Sequence, residues 1–136
     1  MKVVIDSSAI ISIVFNEVDG ADFLHLVSKN ECVISASNYL EAAIVVDSTN
    51  DPVLVRRFDD FMGESEIRIV EVDSKQVFEA RRAYRDFGKG SGHAANLNYG
   101  DVFAYALAST TKRKLICKGN DFRHTDIAIP DYLPTE

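Results

Sequence analysis

The sequence predicts an α/β fold built on a mostly parallel sheet. Short β-branched runs alternate with helical segments along the chain, the pattern of successive strand–helix units. Helical segments open on Asp, Ser or Asn residues suited to capping. No internal repeat or low-complexity linker interrupts the alternation. At 136 residues, the chain reads as a single domain spanning 1–136.

The elements follow in order. Val3–Ile5 is a β-branched run that stops at Asp6-Ser7-Ser8, a cap signal for a helix over Ala9–Phe15. A second helix is expected over Ala21–Val27, closed by Lys29-Asn30. Cys32–Ser35 is the next strand, and Ser37-Asn38 is expected to cap a helix over Tyr39–Asp47. Asp51-Pro52 opens a further helix that runs to about Met62. Ile67–Glu71 alternates like a strand, and Asp73 caps a long helix from about Gln76 to Phe87. The glycine-rich stretch Lys89–Gly100 is the main loop. Val102–Thr110 is an apolar helix, Leu115–Cys117 a strand, and Ile127–Ile129 a last short strand.

Composition narrows the function. Hydrophobic residues make up 46% and charged residues 26%, enough to build a core in a soluble globule. No apolar run approaches the roughly 18 residues of a membrane span. Lys2 and Asp6 break up any leader-like segment in MKVVIDSSAI, so a cytoplasmic protein with no membrane contact is expected. Cys32 and Cys117 sit in apolar runs and read as buried free thiols. The three histidines lack zinc-ligand spacing. A net charge of −6 argues against general coating of nucleic acid. The charge is uneven, however. Gly88 to Asp126 holds six Lys/Arg against three acids, a local +3 that leaves −9 for the rest. Such a stretch can meet a phosphate backbone locally, or can be an ordinary solvated surface.

Four scattered acids carry the chemistry. In an open parallel sheet, function collects beyond the carboxyl ends of the strands. Asp6 follows the first strand and Asp121 follows Leu115–Cys117, so both are expected in that crevice. Taken alone, Asp6 is explained as a helix cap, and Asp101 as an acid welcomed at a helix N-terminus. Glu41 lies in an apolar helical run, either on a thin exposed stripe or held near a cation. Four carboxylates at one end of a sheet would raise one another's pKa values. A hard divalent cation resolves that repulsion, and an all-oxygen set selects Mg²⁺ or Mn²⁺ over zinc. No Ser/His/Asp or Cys/His set for nucleophilic catalysis is evident.

The stretches VVIDSSAI, NYLEAAIV, GHAANLNYGDVFAYALA and LICKGNDFRHTDI, in this order, resemble a PIN-domain ribonuclease toxin of the VapC type. The resemblance covers nearly the whole chain to about Ile127. It implies a three-layer α/β/α sandwich and a Mg²⁺- or Mn²⁺-dependent endoribonuclease. Asp6 and Asp101 would be the firmest metal ligands, with Glu41 and Asp121 completing the pocket. Ser8 matches the small hydroxyl residue that orients the first aspartate. Asn120 stands where many relatives carry a second aspartate, in a place to hydrogen-bond a coordinated water. The resemblance further implies a homodimer silenced by a VapB-type antitoxin, with structured RNA such as tRNA as substrate. Lys89, Lys118 and Arg123 are the candidates for phosphate contact.

Two other small acidic α/β domains fit poorly. A receiver-type phosphoacceptor wants an acidic pair near the first strand, where only Asp6 stands. A haloacid-dehalogenase-like phosphatase wants an aspartate two residues after the first, where Ser8 stands. A non-catalytic RNA- or protein-binding module of the same fold, its acids serving as caps and surface charge, is the alternative from a different class.

Overall fold

The protein is described by a computed structural model over residues 2–130. In chain order the elements are β1 (Lys2–Ile5), α1 (Ser7–Val14), α2 (Gly20–Lys29), β2 (Glu31–Ser35), α3 (Ala36–Asp47), α4 (Pro52–Glu64), β3 (Arg68–Val70), α5 (Ser74–Phe87), α6 (Asp101–Thr111) and β4 (Lys114–Ile116), followed by a 3-10 turn at Asp121–His124. The strands form one sheet in the order β3-β2-β1-β4. All three pairings are parallel, with Val4 aligned to both Val33 and Leu115.

Side-chain alternation along these strands divides the interior into two cores. Val3, Ile5, Cys32, Ile34 and Ile116 face one side, where they meet Ile10 and Val14 of α1, Phe23 and Leu26 of α2, Val46 of α3 and Phe58 of α4. Val4, Val33, Leu115 and Cys117 face the other, against Ala80 and Ala83 of α5 and Val102, Tyr105 and Leu107 of α6. The sheet is therefore the middle of three layers. Coverage on both faces is why its central strands read as unbroken apolar runs. Cys32 and Cys117 are buried free thiols.

The helix starts obey local chemistry. Asp6, Asp51 and Asp73 each accept a backbone N–H from the first turn of α1, α4 and α5, respectively. α3 begins earlier than the capping signals at Ser37-Asn38 suggest. Ser35, the last residue of β2, is extended (φ −61°, ψ 139°) and accepts from the Ser37 N–H, so it is the cap. Asn38 therefore falls inside the helix and is fully buried.

Ile127–Ile129 is not a strand. Only Ala128 bonds to β4, its carbonyl accepting from the Leu115 N–H at 3.0 Å. Ile129 instead packs against both cores. The glycine-rich loop before α6 is tied at its base by Leu97. Leu97 donates to the Phe87 carbonyl and accepts from the Lys89 N–H, both at 2.8 Å.

Candidate active site

The strand order reverses at β1. Chain growth runs outward through β2 and β3, then returns to place β4 on the other side of β1. The carboxyl ends of β1 and β4 thus flank a topological switch point, where open α/β sheets hold their ligands. The Asp6 N–H donates to the Ile116 carbonyl at 2.8 Å, so Asp6 leaves the sheet beside the segment that leads to Asp121.

Asp6 is both the cap of α1 and the centre of the site. It is 3% exposed, and its Oδ2 accepts from the Ser8 hydroxyl at 2.6 Å and the Ser8 N–H at 3.1 Å. Its Oδ1 is buried with no hydrogen-bond donor. Burial pushes the Asp6 carboxyl up to about 7; the Ser8 hydroxyl opposes this, while the negative charges of Asp101 and Glu41 add to it. Ser8 also ties the two strand ends together, because its Oγ accepts from the Lys118 N–H at 3.0 Å.

Asp101 opens α6. Its carboxylate accepts from the Asn98 N–H at 2.9 Å while its own N–H donates to Asn98 Oδ1 at 2.8 Å. Its pKa is raised, first by burial and then by the charges of Glu41 and Asp121; the Asn98 N–H and the Lys89 ammonium oppose the rise. Glu41 reaches the site from α3, where Oε1 accepts from Ser7 Oγ at 2.6 Å and from Asn38 Nδ2 at 3.3 Å. Asp121 begins the 3-10 turn, more exposed than the others, and its charge is felt by Asp101 and by the Cys117 thiol. Asp6 thus feels the charges of Asp101 and Glu41, and Asp101 those of Glu41 and Asp121.

The basic candidates separate. Lys89 lies close enough to Asp101 to lower its pKa, and Arg123 acts likewise on the Cys117 thiol. The Lys118 ammonium is instead held by Glu17 at 2.8 Å and Asp19 at 3.6 Å. Asn120 precedes the 3-10 turn, where its carbonyl accepts from the Arg123 N–H. Half of the basic stretch, Lys112, Arg113 and Lys114, enters β4 at its amino end, the opposite pole of the sheet from the acids.

Four further residues support the site: Ser7, Asn38, Asn98 and Gly100. Sequence reasoning treated Ser7 and Asn38 only as capping signals. The three-residue spacing from Asn38 to Glu41 puts both on one helix face and was the available clue.

Among the described residues no three His, Cys, Asp or Glu side chains stand as a ready-made metal cage. The donor set nevertheless fits a hard cation. It is all oxygen, neighbouring carboxylate charges add to the raised pKa values of Asp6 and Asp101, and Asp6 Oδ1 is a buried acceptor with nothing donating to it.

The chain, with its three-layer parallel fold, matches the family model of the PIN domain over residues 3–128. It is 44% identical over 125 residues to VapC ribonuclease Mb0625 of Mycobacterium bovis and, equally, to ribonuclease VapC28 of Mycobacterium tuberculosis, covering 91% of this chain and 94% of each relative. The chain belongs to the PIN-domain family and, within it, to the VapC ribonucleases. The solved structure of VapBC2 from Rickettsia felis, bound to a DNA fragment from its promoter, superposes with a TM-score of 0.74 over 100% of this chain and 98% of that one. At 14% identity, that likeness concerns the fold.

Proposed function

We propose that the chain is a Mg²⁺- or Mn²⁺-dependent endoribonuclease toxin of a type II toxin–antitoxin system. It cleaves phosphodiester bonds in structured RNA, tRNA among them, and arrests growth unless an antitoxin of the VapB type is bound. The observation that carries this reading is Asp6: a buried carboxylate at the switch point, with one oxygen held by Ser8 and the other without a donor. A surface cap with no further role would face water, so the non-catalytic alternative is not favoured.

Asp6 and Asp101 are the principal ligands in this reading, and Glu41 and Asp121 complete the pocket. The cation supplies positive charge that activates water and offsets the charge developing on the phosphate. Ser8 orients Asp6 and Asn98 orients Asp101, so each carboxylate is placed before the cation arrives. Asn120 stays a candidate for bonding a coordinated water. Lys89 and Arg123 draw the RNA backbone toward the acids. Lys118, held by Glu17 and Asp19, braces the turn after β4. Single-stranded loops suit such a crevice, because splayed bases leave the backbone accessible.

The chain is read as one unit over 1–136; among the described residues its two cores share a single sheet. A second copy is expected on α3, which leaves Leu40, Ile44 and Val45 exposed, whereas Ala9, Ile10 and Val14 of α1 are core. No helix of the described residues is long and apolar enough to cross a membrane, and the cytoplasm, where RNA and antitoxin meet, is the proposed location. Expression alone is expected to stop growth, and co-expression of the antitoxin to restore it. An active, soluble protein that leaves growth unaffected would remove the toxin role. Retained RNA cleavage in EDTA would remove the cation.

A further inference from the structure

Glu41 is held more elaborately than a carboxylate on a helix requires. The Asn38 Nδ2 that donates to its Oε1 at 3.3 Å also donates to the Gly100 carbonyl at 3.0 Å, across 62 residues of chain. A primary amide carries two N–H donors on one nitrogen, so both acceptors are served at once. The orientation is forced, because a flipped amide would press Oδ1 against two oxygens with no hydrogen between them. Asn38 is fully buried and its own Oδ1 has no donor. A buried amide left partly unsatisfied is costly where an apolar residue would pack.

Gly100 completes the arrangement. A Cβ there would lie 2.2 Å from Glu41 Oε2 and 2.8 Å from its carboxyl carbon. The backbone of Gly100 is ordinary helix (φ −66°, ψ −39°), so what a side chain here would displace is the end of the Glu41 side chain rather than the backbone. The Glu41 carboxylate thus rests against the bare α-carbon of the residue before Asp101. Two acids on separate helices are held at one spacing, by a bridging amide on one side and by a missing side chain on the other. The amide also donates without bringing charge. A Lys or Arg in its place would offset the negative field that a cation site needs.

We infer that Asn38 and Gly100 are positioning residues that set Glu41 against Asp101 for a divalent cation, an inference that rests on the cation-dependent reading above. The test uses the full chain and the variants Asn38→Ala, Asn38→Leu and Gly100→Ala. Mn²⁺ binding is followed by electron paramagnetic resonance without RNA, and RNA cleavage is followed against Mn²⁺ concentration. Half-saturation should rise about tenfold or more in both measurements, the scale of losses when groups that orient metal ligands are removed. The KM for RNA at saturating Mn²⁺ should stay within about twofold, since the change acts through the cation site. If Asn38→Ala does not fold, Asn38→Leu fills the same space without a donor or a charge and Gly100→Ala keeps Asn38, so either carries the test. Folded variants with lower Tm but wild-type Mn²⁺ affinity would reduce Asn38 to a tie between α3 and α6 and overturn the inference alone. A wild-type chain that binds no Mn²⁺ would overturn the inference together with the cation reading.

Discussion

The Ser8 hydroxyl donates to Asp6 Oδ2 at 2.6 Å and accepts from the Lys118 N–H at 3.0 Å, joining the ends of β1 and β4 through one side chain. The Ser8 N–H lands on the same carboxylate oxygen, which directs both bonds away from Oδ1. Ser8→Ala removes the stronger bond and the strand-end link together. Mn²⁺ affinity is expected to fall about 10- to 100-fold. A Ser8→Ala protein with wild-type affinity would deny Ser8 this orienting role.

Asp6 also makes the cation-free protein sensitive to pH. Its folded pKa is raised from 3.8 to about 7. The folded state holds this proton more tightly than the unfolded chain does, so stability declines as pH rises from about 4 to about 7 and then levels off. Asp101 is shifted in the same direction. Asp6→Asn removes the larger part, and at pH 8 without cation it should be more stable than wild type by about 1–4 kcal/mol. At pH 4 the two should nearly coincide. Denaturant unfolding at both pH values checks this, and a variant less stable than wild type at pH 8 would refute it.

Added cation should reverse that penalty. A ligand that binds only the folded state at a hundredfold excess over Kd adds about 2.7 kcal/mol. Mn²⁺ is therefore expected to raise the Tm of wild type and to leave Asp6→Asn and Asp101→Asn almost unmoved. Equal shifts in all three proteins would place the bound ion elsewhere.

Lys89 and Lys118, both phosphate candidates in the sequence, should now behave differently. Lys89 acts on Asp101, while the Lys118 ammonium is engaged by Glu17 and Asp19. Binding to uncleaved RNA, measured in EDTA across a salt series, should weaken in Lys89→Ala, with its log–log salt slope shallower by about 0.7. Lys118→Met should keep the slope and lose at most about 1 kcal/mol of stability, as expected for a partly exposed ion pair. The opposite pattern would return the phosphate contact to Lys118.

Much of the fold was legible because it rests on local chemistry. β1, β2 and β4 are apolar runs bounded by caps, and Asp51-Pro52 and Asp73 open helices as their types predict. The start of α3 was misplaced because Ser35, Ser37 and Asn38 can all cap, and local sequence does not rank them. Only the end of β2 at Ser35 decides. The Ile127–Ile129 strand failed for a related reason: β-branched residues also suit a covering segment with a single ladder bond. At the site, the acids were visible as residue types in an unfavourable setting. Of their supports, Ser8 stood out through the resemblance alone, and the longer-range ones did not, because Asn38 reaches Gly100 across 62 residues and Lys118 meets Glu17 across 101. Those contacts are products of topology.

The central claim is that Asp6 and Asp101 together hold a cation that drives RNA cleavage. The most direct measurement incubates purified wild-type chain, Asp6→Asn and Asp101→Asn with total RNA and Mn²⁺, and maps the new ends. Wild type should give discrete internal cuts that vanish in EDTA, and both variants, still folded by circular dichroism, should give none. Full cutting by either variant, or by wild type in EDTA, would contradict the claim.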